Sequence, residues 1–446
     1  MSEAQQFPLA ELARFQRGVT WSKAQEIDEP EPGAVPVLRI PNIKERLDTS
    51  DLIYLRSVKK SSIEQCAAAK DWVLMVGSNG NPDRVGNCVL IKETNEFLFA
   101  SFLVGIEPTN RQRITPDFLF RVLRGPEIQR YISDDVQGST GLSNINLARL
   151  KAKVVACPPL PQQRRIAEIL STLDEAIEQT EALIAKHQQI KAGLMHDLFT
   201  RGVTSDGRLR PTREQAPDLY KESPLGWMPR EWEARPLRDL TIKIADRDHT
   251  TPEYVDDGVI MVSPTNLFDD EGIDFAACRN IPLRDHLINR KKTDIESGDL
   301  ILHRIGAGLG AVRLVTDDMP EFSILHSMAL VRPLRSAVSA EYLLWSFRSY
   351  PVLLQMDIGT QSIGVPDLGL DKIGSLLFPV APHGEQTMIA NSLRSQTEAG
   401  SAERNRLIKL RQQKHGLMHD LLTGRVRVTV NEVEAVSGAI AQEITL

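Results

Sequence analysis

Displaced by 223 residues, this chain matches itself. Residues 159–200 lie over 382–423 without a gap, and 17 of those 42 positions are identical. The match is densest where Gly193-Leu-Met-His-Asp-Leu-Phe-Thr200 meets Gly416-Leu-Met-His-Asp-Leu-Leu-Thr423. Met, His and Asp recur there in order, so low complexity does not explain it. An internal repeat of this kind constrains the architecture before any local propensity does.

Each copy reads as one long helix. In the first, Ile166, Leu170, Leu173, Ile177, Thr180, Ile184, His187, Lys191, Leu194 and Leu198 follow 4-3 spacing, the seam of a coiled coil. Pro161 suits a first helical turn, and Gly202 falls just past the end. The second copy carries Ile389, Leu393, Leu407, Leu410, Leu417 and Leu421 at matching places, but puts Gln396, Gly400 and Glu403 on the seam. Two helices of about 40 residues, each about 60 Å long, should pack on each other or hold a partner near their weak centres.

The segments before the helices are duplicated more loosely. Strand-like runs cover 35–40, 72–76, 85–91 and 97–106 in the first half, and 259–263, 300–303, 311–315 and 322–331 in the second. Helical stretches follow at 115–134 and 339–356. The stretch 203–232, rich in Pro, Gly and charge, reads as a linker. The expected order is a first mixed domain (1–157), a helix (158–202), the linker, a second mixed domain (233–378), a second helix (379–425) and a tail (426–446). The fold class is α+β. Two similar mixed α/β domains each precede a long helix, and the helices pair as an antiparallel coiled coil with pseudo-two-fold symmetry.

Charge and motifs narrow the function. Lys and Arg number 53 against 59 Asp and Glu, a net −6, which excludes an indiscriminate, histone-like nucleic-acid binder. A basic groove on an acidic body stays open. Cys66, Cys88, Cys157 and Cys278 are far apart and read as small buried hydrophobes, not as a zinc site. There is no signal-peptide pattern at the start and no run of 18 apolar residues, so a cytoplasmic protein without a membrane span is expected. No P-loop, no Asn-Pro-Pro-aromatic motif and no acidic-x-Lys pair occurs. Gly306-Ala-Gly-Leu-Gly310 reads as a turn where backbone approaches something closely. His415 and His419 are spaced for metal, but only His419 has a repeat counterpart, His196, so a helix-end or partner contact is favoured.

Two similar modules on two antiparallel helices would present two reading surfaces at a fixed separation, and DNA is the ligand with matching near-symmetry. Three phrases then make the resemblance specific. Ser223-Pro-Leu-Gly-Trp-Met-Pro-Arg-Glu-Trp-Glu233 resembles the lead into the second recognition domain of type I restriction–modification specificity subunits. Pro158-Pro-Leu-Pro-Gln-Gln-Arg-Arg-Ile-Ala167 resembles the entry into that family's conserved helix. Pro379-Val-Ala-Pro-His-Gly-Glu-Gln-Thr-Met-Ile-Ala390 keeps Glu-Gln and Ile-Ala but departs in spacing. The resemblance spans roughly 7–425 and leaves the tail unexplained.

It implies a subunit with no catalytic site or cofactor of its own. Two target-recognition domains would each read half of an asymmetric, bipartite double-stranded DNA sequence. The paired helices would act as ruler and dock for two methyltransferase subunits, which methylate adenine N6 with S-adenosylmethionine. Motor-nuclease restriction subunits, using ATP and Mg2+, would complete the complex.

Candidate DNA-facing residues lie in polar loops, where Arg can pair with guanine and Asn or Gln with adenine. In the first half they are Arg17, Thr20, Trp21, Lys23, Arg39, Asn42, Asn79, Asn81, Arg84, Ser139, Thr140 and Asn144. In the second they are Arg247, His249, Thr250, Thr251, Asn266, His303, Arg304, Arg313, Gln361 and Ser362. Arg84 and Arg304 stand out, each beside a Gly-rich turn between strand-like runs. Gly193, Leu194, His196 and Leu198, with Gly416, Leu417, His419 and Leu421, are candidates for docking identical partners or for packing the helices together. A coiled-coil adaptor with two protein-binding heads shares the duplication but does not require the phrase at 223–233.

Overall fold

The short apolar runs become strands, and the strands of the two halves are laid out alike. The architecture comes from a computed structural model that describes residues 4–93, 97–135, the backbone of 137–139, 142–268, 272–359 and 365–429. In the first half Ala13–Arg17, Leu103–Pro108, Val73–Val76 and Cys88–Leu90 lie side by side in that order, all antiparallel. In the second half Thr241–Ala245, Met328–Pro333, Leu300–His303 and Val312–Leu314 repeat the order. A parallel pair recurs as well, Val35–Leu38 beside Leu98–Phe99 and Val259–Val262 beside Phe322–Ile324. So does a closing antiparallel pair, Gln5–Pro8 with Val154–Cys157 and Glu233–Pro236 with Leu377–Val380.

Two expected strands are each broken in two. The run 97–106 divides into Leu98–Phe99 and Leu103–Pro108, and 322–331 into Phe322–Ile324 and Met328–Pro333. At each break the chain leaves one sheet for another through a turn closed by a backbone bond, Leu103 to Ala100 and Met328 to Leu325, both 2.8 Å. Both flanks are buried, so no apolar–polar alternation marks the crossing. The helical stretches are also pairs: Pro116–Arg124 with Pro126–Ser133, and Ala340–Phe347 with Tyr350–Gly359. Pro126 ends the first of these, because it lacks the N–H a continuing helix needs.

The long helices run over Leu160–Thr200 and His383–Leu422. Every predicted seam position in both is buried or half-buried. The chain divides into two compact units, residues up to Glu181 with those from Asn405 onward, and Ala182–Arg404. Each unit holds half of each long helix. In the first unit Ile166 and Leu170 of one helix and Met418 and Leu421 of the other enter the core around Val73, Ile106 and Phe118. Asp174 pairs with Lys414 at 2.7 Å and Glu181 with Arg411 at 2.7 Å, so the helices run antiparallel there. In the second unit Leu198, Phe199, Ile389 and Leu393 pack with Leu300, Tyr342 and Phe347. The polar seam is satisfied locally: the Gln396 amide donates to His187 Nδ1 at 2.8 Å, and Gly400 lies against the His187 Cβ.

The helix-entry phrase does the same job twice. Gln163 is fully buried; its amide donates to the Arg113 and Pro158 carbonyls (2.6 and 2.8 Å), and its oxygen accepts from Thr115 N–H at 2.9 Å. Gln386, its counterpart at a distance of 223, donates to Ala337 and Ala381 and accepts from Ser339 N–H at 2.9 Å. Thr115 and Ser339 are themselves the N-caps of the helices that follow.

Residues 203–232, expected as a linker, are folded. Tyr220–Ser223 and Gly226–Pro229 form a hairpin, and Val203, Tyr220, Met228 and Trp232 are buried in the second unit. Aromatic anchors outweigh the Pro, Gly and charge that suggested a tether. Cys66, Cys88 and Cys157 are buried free thiols. Burial pushes Cys88 up to about 12 and Cys157 to about 11, so both stay protonated and apolar in character. Among the described residues no helix is long and apolar enough to cross a membrane.

Candidate nucleic-acid interface

In the first domain the early loop is held by its own side chains and presents the rest. Gly18 is wedged against backbone: a Cβ there would meet the Phe99 oxygen at 2.1 Å. Trp21 Nε1 donates to Glu26 at 3.0 Å, while Arg17, Thr20 and Lys23 face solvent. Asn42 turns inward. It is buried, accepts from Arg39 N–H at 2.6 Å and donates to the Asp48 and Asp51 carbonyls, both at 2.8 Å. Arg39 pairs with Asp51 at 3.2 Å. Ser78–Asn79 pairs with Leu142–Asn144, which pairs with Gln137–Ser139, making a small ribbon with Asn79 half-buried and Asn144 exposed. Asn81 accepts from Asp83 N–H and is otherwise exposed. The Ser139 side chain and Thr140 lie outside the described residues.

Arg84 does not reach outward freely. Its Nη2 donates to the carbonyls of Ile40 and Ile43 at 3.1 and 3.2 Å, fastening the loop that holds Asn42. It lines a cleft of about 390 Å3 with Lys44, Arg124 and Gln129.

In the second domain several segments converge on one buried guanidinium. Arg304 follows the strand Leu300–His303 and is 3% exposed. Its Nη1 donates to Asp367 at 2.8 Å; its Nη2 donates to Asp246 at 2.5 Å and to His249 Nε2 at 3.0 Å. The His249 and His326 rings lie 4.8 Å apart, centre to centre. Burial, and then positive charge nearby that includes Arg247 and Arg304, hold His326 below the ordinary histidine value. Arg247 is also buried; its Nη2 donates to the Thr250 carbonyl and hydroxyl at 3.1 and 2.6 Å, closing the loop that exposes His249, Thr250 and Thr251. His303 is buried with both ring nitrogens against backbone oxygens, Gly308 at 2.9 Å and Ile305 at 2.7 Å. They shape the turn in which Gly306, Gly308 and Gly310 all adopt positive φ, as glycine alone does readily.

Asn266 caps its turn as Asn42 does, accepting from Ser263 N–H at 2.9 Å. Arg313 is buried, its Nε and Nη2 donating to the Gly272 and Phe268 carbonyls at 3.0 and 3.2 Å. Gln361 and Ser362 lie outside the described residues.

Arg84 and Arg304 are not structural counterparts. Arg304 N–H donates to Ser327 and its carbonyl accepts from Leu368; in the first domain Gly77 makes the same two bonds, to Phe102 and from Ile145. A Cβ at Gly77 would meet the Val104 side chain at 2.8 Å. The Asp246, His326 and Asp367 environment of Arg304 carried no local signal in the sequence, because four separate segments assemble it.

On the long helices the repeated octapeptide is two-faced. Leu198 and Leu421 are buried, and Leu194 and Leu417 pack partly against the cores. Gly193 and Gly416 have open space where a Cβ would stand, and His196 and His419 are exposed. Among the described residues no group of His, Cys, Asp and Glu is placed to hold a metal.

Residues 1–188 match the family described as Type I restriction modification DNA specificity domain. The chain is 24% identical over 402 residues to the putative type I restriction enzyme MjaX specificity subunit of Methanocaldococcus jannaschii, covering 88% of this chain and 87% of that one. Over most of its length the chain is thus similar to type I restriction–modification specificity subunits, and its first 188 residues match that family's DNA specificity domain. A second relative in that organism, the MjaVIII specificity subunit, is 25% identical over 343 residues, 74% of this chain and 75% of its own. The fold is shared with the crystal structure of a type I S subunit from M. genitalium: TM-score 0.56, 14% identity, 95% of this chain and 96% of that one. Domain and relatives together support a type I restriction–modification specificity subunit, the DNA-recognising and non-catalytic part of such a system.

Proposed function

We propose that this specificity subunit reads an asymmetric, two-part double-stranded DNA target, one part with residues 1–157 and the other with 233–378. One observation carries the reading. The two domains share sheet order and helix-entry locks, yet differ in the chemistry they mount on that frame, Gly77 standing where Arg304 stands. Equal scaffolds with unequal loops suit two unequal half-sites. Loop residues that face solvent, among them Arg17, Lys23, Asn81, Asn144, His249 and Thr251, are the candidates for DNA contact. The long helices set the gap between half-sites, and the exposed Gly193, His196, Gly416 and His419 side of the repeat receives two methyltransferase subunits. Those subunits bring S-adenosylmethionine, and restriction subunits bring ATP and Mg2+, in the cytoplasm.

Methylome sequencing of cells carrying this subunit with its methyltransferase tests the proposal. The expected motif has two specified ends around an unspecified gap, with methylated adenines. A single uninterrupted motif, or methylation without sequence preference, would contradict it.

A further inference from the structure

The group that faces outward at the second domain's convergence point is His249, not Arg304. The guanidinium has only N–H groups to offer and keeps its charge at any pH a protein survives. At 3.0 Å from Arg304 Nη2, the His249 Nε2 must therefore accept, and Asp246 Oδ2, 3.7 Å from the same nitrogen, is beyond hydrogen-bonding distance. An imidazole whose Nε2 accepts is neutral and carries its proton on Nδ1. The ring is 59% exposed, so this N–H is on offer to a ligand. Arg304 in turn is fixed by Asp246 and Asp367, and the His326 ring flanks His249. Four side chains thus hold one solvent-facing ring in one tautomer.

The charge around it favours a base edge over a phosphate. Arg247 and Arg304 are balanced by Asp246 and Asp367, and the Asp367 side chain is itself half exposed. With no surplus positive charge, a phosphate gains little here. A fixed N–H donor instead matches an acceptor on a base: guanine O6 or N7, adenine N7 or thymine O4.

We infer that His249 is a specificity-determining residue of the second half-site, selecting a base-edge acceptor through Nδ1–H, and that Arg304 is the residue that positions it. This rests on residues 233–378 being one of two readers. The two claims fail differently: without that reader the unaltered subunit yields no second specified half, whatever His249 does.

The experiment uses the full subunit assembled with its methyltransferase, first by methylome sequencing and then by titration of duplexes with single-base changes at two salt concentrations. His249→Ala, at an exposed position, should relax one base position of one half-site by about tenfold and leave the other half-site unchanged. Arg304→Met should relax the same position, and the double variant should add little to either, the mark of residues acting as a unit. If Arg304→Met abolishes assembly, His249→Ala alone decides. Unchanged preference after His249→Ala would overturn the assignment. So would weakening of all sequences alike with a smaller salt slope, the signature of a phosphate contact.

Discussion

Glu385 fastens the end of one long helix to the beginning of the other. Its carboxylate accepts from Val203 N–H at 2.8 Å and from Arg210 Nη2 at 2.9 Å, and both charged side chains are at least nine-tenths buried. Gly202 is needed beside it: φ is +62°, and a Cβ would sit 2.1 Å from the Glu385 oxygen. Removing the acid leaves a buried guanidinium without its main partner. Glu385→Ala should therefore lower unfolding stability by about 3–5 kcal/mol, read from denaturant midpoints. The helix-end Gly202 was legible as a stop signal. Its partner 183 residues away was not, because an ion pair closed by folding leaves no mark in local sequence. The same holds for Arg304, readable as a loop arginine but not as a buried support for His249.

At the scale of elements, the helix seams were legible almost residue by residue, since 4-3 spacing reports burial directly. Strand positions were legible too, but not where a buried run changes sheets, at Ala100 and Leu325. Nor did spacing reveal the ties between helix and domain. In the first unit Asp174 joins Arg121 and Lys414. At its 223-residue equivalent stands Thr397, and Lys191, the equivalent of Lys414, instead lies 5.1 Å over the Trp345 ring. The charged tie has a pH signature. Burial pushes the Asp174 carboxyl up, but hydrogen bonds and charge from Lys414 and Arg121 outweigh it and hold it below the ordinary 3.8. A depressed carboxyl stabilises the fold above that ordinary value and loses its contribution as the pH falls through the depressed one. Asp174→Asn should thus be less stable than the native subunit at pH 7, with the gap closing below about pH 4. Midpoints measured across that range check it; a gap that does not vary with pH would remove the ionic tie.

At the scale of the whole molecule, duplication was the most legible property, because the helix repeat is written in identical residues. The equivalence of the domains was readable only in outline: Gln163 and Gln386 hold identical bonds, while the loops they support share almost no sequence. That combination is what the proposed two-part reader needs, and on that proposal recognition is modular. The most direct measurement is the methylome of cells in which residues 7–157 are replaced by the equivalent domain of a relative with a different target. One end of the methylated motif should change to the donor's, with the other end and the gap retained. A motif that changes at both ends together would contradict the account.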